Sequence, residues 1–369
     1  MKLSKEQYHT INNILLLIIA EGFFLYGVAM ELIEYPGLLY TYPYLVLLGL
    51  LVVKICIQNN SLKEWIVSAV VLGIGFLSWH FSGDRSSLLF ALAICGCKYA
   101  DLDRLLKIDV AARIISVIVH IFLPFTGMIV NNVDVIIGGR PRTFFGWGHP
   151  NGMGISFLMI CAEWICLRHR KMRWFEYAGI TGLVVFLDLT ANSRTSEAVI
   201  LLLLLLEVIS TKLFRKVEKE LLFWRWISNG TLLVSILMPV IGTVISLVLG
   251  YSTAEKLGTM GSRFILTAQF IKNHGFTLFG CGYIAEQNEY LDMLFANCFL
   301  RRGLLFGILV LILCILAIWR GVKKKNISYL ILLFVMFLLG AAEQEHINLI
   351  YSVFPVLLGI SIWDLSDRK

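Results

Sequence analysis

Two arginines and a histidine lie close together in a short polar segment in the first half of the chain. The segment runs from Arg140 through Arg142 and His149 to Asn151, with glycines between them. Guanidinium groups bind phosphate through paired hydrogen bonds, and glycine lets a backbone approach a ligand closely. The pattern predicts a site for an anion and a sugar. An interfacial loop with water-seeking arginines and a Pro-Asn helix start is an equally open interpretation.

Two more arginines, Arg194 and Arg263, follow apolar segments further along the chain. An arginine near hydrocarbon is costly unless it faces water, an anion or a carboxylate. Both are therefore candidate ligands for an anion, and Asp292 lies in the same polar region as Arg263. Two alternatives remain open. Ser193 or Thr195 caps a helix start while Arg194 pairs with Glu197 or Asp188, and Arg263 belongs to an amphipathic segment on the membrane surface.

A third group of polar residues lies between the last two apolar segments. It contains Glu343, Glu345 and His346. Carboxylates beside an imidazole can supply a general base. They can equally cap a helix start and pair with one of the arginines.

The motifs that bind common cofactors are missing from the sequence. It contains no GxxxxGK[ST] segment for ATP and no HExxH or other spaced set of zinc ligands. The eight cysteines lie mostly inside apolar segments and have no CxxC spacing, so we expect buried, structural thiols. The sequence therefore predicts no cofactor and no metal.

The composition indicates where these residues are held. The chain has 369 residues, of which 58% are hydrophobic and 15% charged, and its mean hydropathy is +0.79. These values exclude a water-soluble or disordered chain. A net charge of +7 can indicate nucleic-acid binding, but here the basic residues lie in short loops between apolar blocks, so we exclude a nucleic-acid partner.

The apolar blocks have the length that a helix needs to cross a bilayer. They predict an all-α, polytopic membrane protein with about twelve transmembrane helices in one domain, residues 1–369. A large outer loop, 250–302, separates the ninth and tenth spans and is expected to carry surface-lying helices. The predicted spans are 11–30, 38–57, 65–82, 86–100, 110–130, 151–167, 175–191, 195–211, 227–249, 303–319, 327–341 and 347–363.

The basic residues also predict the orientation of the chain. Most of the 32 Lys and Arg residues fall on one side if the first span is uncleaved and starts inside. Both termini are then cytoplasmic, in a multi-pass protein of the cytoplasmic membrane. A minority of basic residues remains outside, where the positive-inside bias does not explain them: Arg85, Arg140, Arg142, Arg194, Lys256, Arg263, Lys272, Arg301 and Arg302.

The order of these motifs resembles the Wzy-type family of polymerases that act on O-antigen, capsule and exopolysaccharide repeat units. The segment from Arg142 to Asn151 is similar to the family's R-x-x-x-G-F-x-H-P-N stretch, and Asn192–Ser196 is similar to its S-R-T segment. Gly261–Phe264, the Phe279–Gly282 turn, and Asp292 before Arg302-Gly303 follow in the family's order. The resemblance covers roughly residues 85–350.

The resemblance implies a membrane glycosyltransferase that acts at the outer face. The family transfers a glycan from undecaprenyl pyrophosphate to the next lipid-linked unit, within the lipid bilayer and alongside a flippase and a chain-length regulator. It implies that Arg142, Arg194 and Arg263 bind the pyrophosphate and that His149 and Asn151 position the site, with Arg140 and Asp292 as further substrate contacts. His346 or Glu345 is the expected base, and Glu343, His149 and Asp292 are the other outer candidates.

Two other functions remain open at this point. A ligase-like transferase differs from a polymerase only in its acceptor. A transporter or flippase would have the same topology, but its site normally uses broken helices and charges near the bilayer midplane. The charged residues of this chain instead gather at the predicted outer rim, and no two halves are repeated, which favours the polymerase.

Overall fold

The computed structural model describes residues 5–32, 38–127, 133–135, 141–282 and 289–363, and most of these residues are helical. The strands β1 (Val133–Val135) and β2 (Pro141–Thr143) form one antiparallel pair. The helices are α1 Lys5–Leu32, α2 Leu38–Ile57, α3 Leu62–Ser82, α4 Arg85–Gly96, α5 Leu102–Phe122, α6 Pro150–Arg168, α7 Trp174–Leu189, α8 Arg194–Leu213, α9 Val217–Val248, α10 Tyr251–Glu255, α11 Thr259–His274, α12 Leu294–Ala296, α13 Leu304–Lys323, α14 Ile327–Gly340 and α15 Phe354–Trp363.

The prediction of an all-α membrane protein is confirmed in its coarse form. Six helices are long and apolar enough to cross a membrane, and four shorter ones are also apolar. Helices α1–α9 and α13–α15 overlap the twelve predicted blocks in order, whereas the number of crossings and the orientation stay predictions. The six long helices are α1, α3, α5, α6, α9 and α13.

The last predicted span is shorter than expected. We predicted it over 347–363, but α15 begins only at Phe354. Before it, the Asn348 Oδ1 accepts a hydrogen bond from the Ile350 N–H at 3.2 Å, and the Ser352 Oγ accepts one from the Phe354 N–H at 3.1 Å. These local bonds compete with helix formation, and Pro355 is favoured in a first helical turn, so the helix starts there.

Helix α14 lies at the centre of the bundle. All its residues from Leu330 to Phe337 are buried, and it packs against α6, α8, α9, α13 and α15. A helix that is apolar on every side belongs in a core. Around it, α3 packs on α4, and α6 packs on α5 and α8.

The segment predicted as the large loop, 250–302, contains α10, α11, α12 and a π-helical turn, Asn297–Arg301. Helix α11 packs along α9. The segment closes back on α13, because the Leu304 N–H donates to the Thr277 oxygen at 3.0 Å and the Cys281 N–H donates to the Arg301 oxygen at 2.9 Å.

Two glycines allow that closure. Gly280 has φ +104° and Gly303 has φ +96°, and a Cβ added at Gly303 would overlap the backbone nitrogen of Gly280. Only glycine adopts such angles at low cost. This contact joins two of the motifs on which the family resemblance depends.

The two ends of the bundle carry different residues. The connections that contain Asp84, Asn192 and Glu343 lie at one end, which we call the Glu343 end. The connections around Lys98 and His169 lie at the other, the Lys98 end, where Lys98 pairs with Glu64 at 2.8 Å. All four sequence motifs lie at the Glu343 end.

Candidate functional site

Four of the predicted site residues form one connected group, which we call the Glu343 cluster. Arg263 donates from Nη2 to Glu343 Oε1 at 2.6 Å and from Nε to Asp292 Oδ2 at 3.2 Å. Asn151 donates from Nδ2 to the same Glu343 oxygen at 2.9 Å. The cluster therefore ties together three motifs that are far apart in the sequence.

Local structure at two helix starts positions the two donors. His149 is the N-cap of α6, its Nδ1 accepts a hydrogen bond from the Asn151 N–H at 3.1 Å, and Pro150 occupies the first turn. Helix α11 lies close to α10, since a Cβ added at Gly261 would overlap the Ala254 carbonyl oxygen. Asn151 in the first turn of α6 and Arg263 in the second turn of α11 thus both reach Glu343.

Glu343 itself follows the last turn of α14, and its N–H donates to the Leu339 oxygen at 2.8 Å. Burial raises the pKa of the Glu343 carboxyl to about 7, an effect that Arg263 opposes and the Asp292 carboxylate adds to. A carboxyl group that titrates near neutral pH can accept a proton from a substrate and release it again.

A second group, the Arg194 cluster, also lies near the start of α6, where Ser193 packs against Gly154, and comprises Arg142, Asn192, Arg194 and Glu197. Arg194 is exposed and donates from Nε to Asn192 Oδ1 at 3.3 Å. Glu197 lies within electrostatic range of Arg142 and Arg194. Glu197 is also within electrostatic range of Asp188, whose Oδ1 accepts a hydrogen bond from Asn192 Nδ2 at 3.5 Å, so two arginines and two carboxylates meet here. The alternative in which Arg194 pairs with a carboxylate is therefore met in part.

Backbone contacts bring Arg142 to this cluster. Arg142 lies on β2 opposite Asp134, and its neighbour Thr143 donates its N–H to the Thr190 oxygen at 3.2 Å. The turn after α7 then packs against α6 so closely that a Cβ added at Gly154 would overlap the Ser193 hydroxyl. The Arg194 cluster and the Glu343 cluster are thus held against the first turns of α6.

The structure does not bring His346 into either cluster. Its side chain is fully buried, its ring lies 5.3 Å from that of Phe354, and neither ring nitrogen has a hydrogen-bond partner among the described residues. Burial, together with the Arg302 charge, lowers the pKa of His346 to about 3. The ring is neutral at physiological pH and lies away from solvent, which disfavours it as a base.

The remaining predicted residues make no side-chain hydrogen bond to Glu343 among the described residues. Glu345 lines a narrow cavity with Arg113 and Trp147. His149 is exposed and serves as a helix cap. Arg140 lies outside the described residues.

An ion-pair group at the same end was not predicted as a site. Arg302 donates to Asp84 Oδ2 from Nε at 3.0 Å and from Nη2 at 2.9 Å, and Arg301 lies 3.4 Å from the same oxygen. These guanidiniums, with hydrogen bonds from Ser86, hold the pKa of Asp84 well below its usual range. The sequence signal was an aspartate and two arginines between apolar spans, but nothing in their spacing paired them.

A further ionic group lies inside the bundle between α1, α5 and α6. Arg113 donates to Asp109 at 2.7 Å and lies 3.9 Å from Glu163, and Glu21 is within electrostatic range of both Asp109 and Arg113. Asp109 and Arg113 are four residues apart on one helix face, and this spacing predicts their pair. No such spacing links Glu21 or Glu163 to them.

The prediction of buried thiols is confirmed for most cysteines. Cys95, Cys97, Cys161, Cys166, Cys298 and Cys314 are buried, Cys281 is partly buried, and Cys56 is exposed. No three His, Cys, Asp or Glu side chains in the described ranges lie together as a metal site requires.

Comparison with known proteins adds nothing to these observations. No family model, no curated protein and no solved structure matches the chain. The likeness to the Wzy-type polymerases therefore depends on the short motifs, and the Glu343 cluster is the geometric feature that joins them.

Proposed function

We propose that this protein is a membrane glycosyltransferase that polymerises lipid-linked oligosaccharide repeat units of an exopolysaccharide, a capsule or an O-antigen. The observation that carries the proposal is the buried Glu343 carboxylate, which Arg263 and Asn151 hold at the end of the bundle where all the motifs meet. In this proposal twelve helices cross the cytoplasmic membrane, both termini are cytoplasmic, and the Glu343 end faces outward.

In the proposed reaction, Glu343 is the general base. Its carboxylate accepts the proton of an acceptor hydroxyl on one lipid-linked unit. The hydroxyl oxygen forms a new bond to the anomeric carbon of the growing glycan, and the bond from that carbon to the diphosphate oxygen breaks. The undecaprenyl diphosphate leaves with the electron pair, so the diphosphate, which already carries two negative charges, gains a third that must be stabilised as it departs.

Arg142 and Arg194 are suited to that second task. Both lie within electrostatic range of Glu197 in the Arg194 cluster, and Arg194 is exposed. Guanidiniums bind diphosphate oxygens in pairs. Arg263 has a different role in this proposal from the one the resemblance implied, because its charge is already shared between Glu343 and Asp292. It positions the base.

Replacing Glu343 by Gln tests the proposal. Glu343→Gln keeps the shape of the side chain and removes its ability to take a proton, so we expect long polymer to disappear while single repeat units accumulate on lipid at the outer face. Glu289→Gln is the matched control, since Glu289 is a buried carboxylate at the same end that pairs with His274 at 2.7 Å. Unchanged polymer length at normal membrane abundance of Glu343→Gln would refute the role of Glu343.

The acceptor distinguishes a polymerase from a ligase-like transferase. A ligase-like enzyme would pass finished chains to a different acceptor. Polymer would then still be made in Glu343→Gln cells and remain on undecaprenyl diphosphate.

A transporter or flippase is a second candidate because of the ionic group inside the bundle. Glu21, Asp109 and Glu163 supply three carboxylates against the single guanidinium of Arg113. Buried charges of this kind mark ion or proton pathways in membrane proteins. If the protein moves units across the membrane, Glu21→Gln cells accumulate lipid-linked units at the inner face. If it polymerises them, the units reach the outer face in Glu21→Gln and Glu343→Gln cells alike.

A further inference from the structure

A cavity of about 910 Å³ lies at the Glu343 end between α1, α2, α3 and α4, apart from the residues of the Glu343 and Arg194 clusters. It has the size of a small-molecule site. The residues that line it are of two kinds. Asp84, Arg85, Arg301 and Asn348 make up what we call the polar part, and the aliphatic side chains make up the apolar part.

The polar part has a surplus of positive charge. Asp84 is the only carboxylate on the cavity wall among the described residues, and Arg302, which is 2% exposed, already donates two hydrogen bonds to it. Its second oxygen accepts hydrogen bonds from Ser86. Arg301 also contacts this carboxylate, at 3.4 Å, so three guanidiniums, those of Arg85, Arg301 and Arg302, lie around one carboxylate at this part of the wall, and Arg85 and Arg301 line the cavity.

Arg85 is exposed and is the first residue of α4. Arg301 is 18% exposed and is fixed by the π-helical turn and by the closure at Gly280 and Gly303. Two guanidiniums presented to one cavity fit the oxygens of a phosphate or diphosphate group.

The apolar part includes Leu45 and Leu48 of α2 and Leu88 of α4, and Trp79 of α3 also lines the cavity. Leu45 is 51% exposed, and its neighbour Val46, which does not line the cavity, is 61% exposed. The apolar part therefore adjoins a surface of α2 that lipid chains would cover in a bilayer.

Tyrosine and tryptophan side chains also line the cavity. They are Tyr26, Tyr44 and Trp79, and Tyr44 is within electrostatic range of Arg85 and Asp84. Such side chains favour the interface between lipid tails and water, because they have an apolar ring and a polar group. The cavity therefore combines three kinds of side chain that suit a lipid: cations for its head, aromatics for the interface and aliphatic residues for its chain.

We propose that this cavity binds a phosphate-bearing lipid, with the headgroup on Arg85 and Arg301 and the chain between α2 and α3. The proposal does not depend on the reaction proposed above. The headgroup would nevertheless lie near the Glu343 cluster, since Tyr290 is within electrostatic range of Arg301 and Asp84 and also of Asp292 and Glu345.

Lipid binding to the full-length purified protein tests the proposal. The probes are undecaprenyl diphosphate, phosphatidylglycerol and inorganic diphosphate, each titrated against protein in detergent by native mass spectrometry. We expect Arg85→Gln to weaken binding of the diphosphate lipid by about tenfold, the loss of one charge-assisted hydrogen bond. Leu48→Trp, which fills the apolar part, should weaken it similarly. Arg104→Gln, an exposed arginine at the Lys98 end, is the control and should leave binding unchanged.

Each outcome decides the matter. If undecaprenyl diphosphate binds more tightly than phosphatidylglycerol, the site selects a diphosphate lipid; if the two bind equally, the ligand is a bilayer phospholipid. If inorganic diphosphate binds as tightly as either lipid and Leu48→Trp has no effect, the lipid assignment is wrong. Equal lipid binding by the wild type, Arg85→Gln and Leu48→Trp overturns the site altogether. Arg85 forms no ion pair with a described residue, so the Arg85→Gln substitution breaks none. A normal melting temperature of the variant would show that it folds.

Discussion

Arg263 donates a hydrogen bond to Glu343 at 2.6 Å across 80 residues of sequence. Asn151 donates to the same oxygen, Oε1, at 2.9 Å. No described residue donates to Oε2. One carboxylate oxygen is therefore held in place, and the other is available to a substrate proton.

The pH dependence of the reaction should follow Glu343. Its pKa is raised from 4.5 to about 7, so the fraction of base in the active, ionised form rises with pH through neutrality. We expect the rate of polymer formation in proteoliposomes to increase from pH 6 to pH 8. A flat profile over this range would contradict the assignment of Glu343 as the base.

Two neighbours should move that profile in opposite directions. Asp292→Asn removes a negative charge that raises the pKa of Glu343, so the rate should reach its plateau at lower pH. Arg263→Gln removes the positive charge that stabilises the carboxylate, so the plateau should move to higher pH. Shifts of the same sign in both variants would exclude this electrostatic account.

Arg194 should matter for the leaving group and little for folding. It is exposed and makes one hydrogen bond to a side chain, with Asn192, so Arg194→Ala should reach normal membrane abundance. Removing one donor that stabilises developing charge typically costs about 10²–10³ in rate. Arg215→Ala, an exposed arginine beyond α8, is the control for general loss of charge. An Arg194→Ala enzyme of full activity would remove Arg194 from the site.

His346 should behave as a structural residue. It is fully buried and its pKa is lowered to about 3, so it stays neutral across the working pH range. His346→Gln should lower the melting temperature of the purified protein and leave the midpoint of the pH–rate profile unchanged. A displaced midpoint would restore His346 as a candidate base.

The Asp84–Arg302 pair should contribute to stability. Arg302→Gln removes the guanidinium that pairs with the buried Asp84 carboxylate. Removing one partner of a buried ion pair typically lowers the free energy of unfolding by about 3–5 kcal/mol. Asp84→Asn in the same chain should recover part of that loss, as thermal unfolding would show. Because the pKa of Asp84 is depressed in the folded protein, this stabilisation is present above its unfolded pKa of about 3.8 and is lost as pH falls further.

Gly303→Ala should disturb the closure of the 250–302 segment. Gly303 has positive φ, and an added Cβ would overlap the Gly280 backbone. We expect a lower melting temperature and loss of activity. Gly282→Ala is the matched control from the same segment, since a Cβ there meets only the Ser82 oxygen at 3.7 Å. Equal behaviour of the two variants would show that the closure is not required.

The sequence by itself determined the class of the protein and the approximate positions of the main helices. Apolar blocks of membrane length form helices wherever they occur, because a backbone in hydrocarbon must satisfy its own hydrogen bonds. Helix ends were predicted less well. The start of α15 depends on local bonds from Asn348 and Ser352 that no hydropathy pattern reports.

Only the tertiary structure decided which polar residues meet. The motifs around Asn151, Arg263 and Glu343 were each visible in the sequence, but their pairing depends on how α6, α11 and α14 pack. Burial also separated neighbours in sequence: Glu343 became a carboxylate that titrates near neutrality, while His346, three residues later, became a neutral core residue. Charge and residue type are written in the chain, whereas desolvation and the partner of each charge follow from the packing of distant segments.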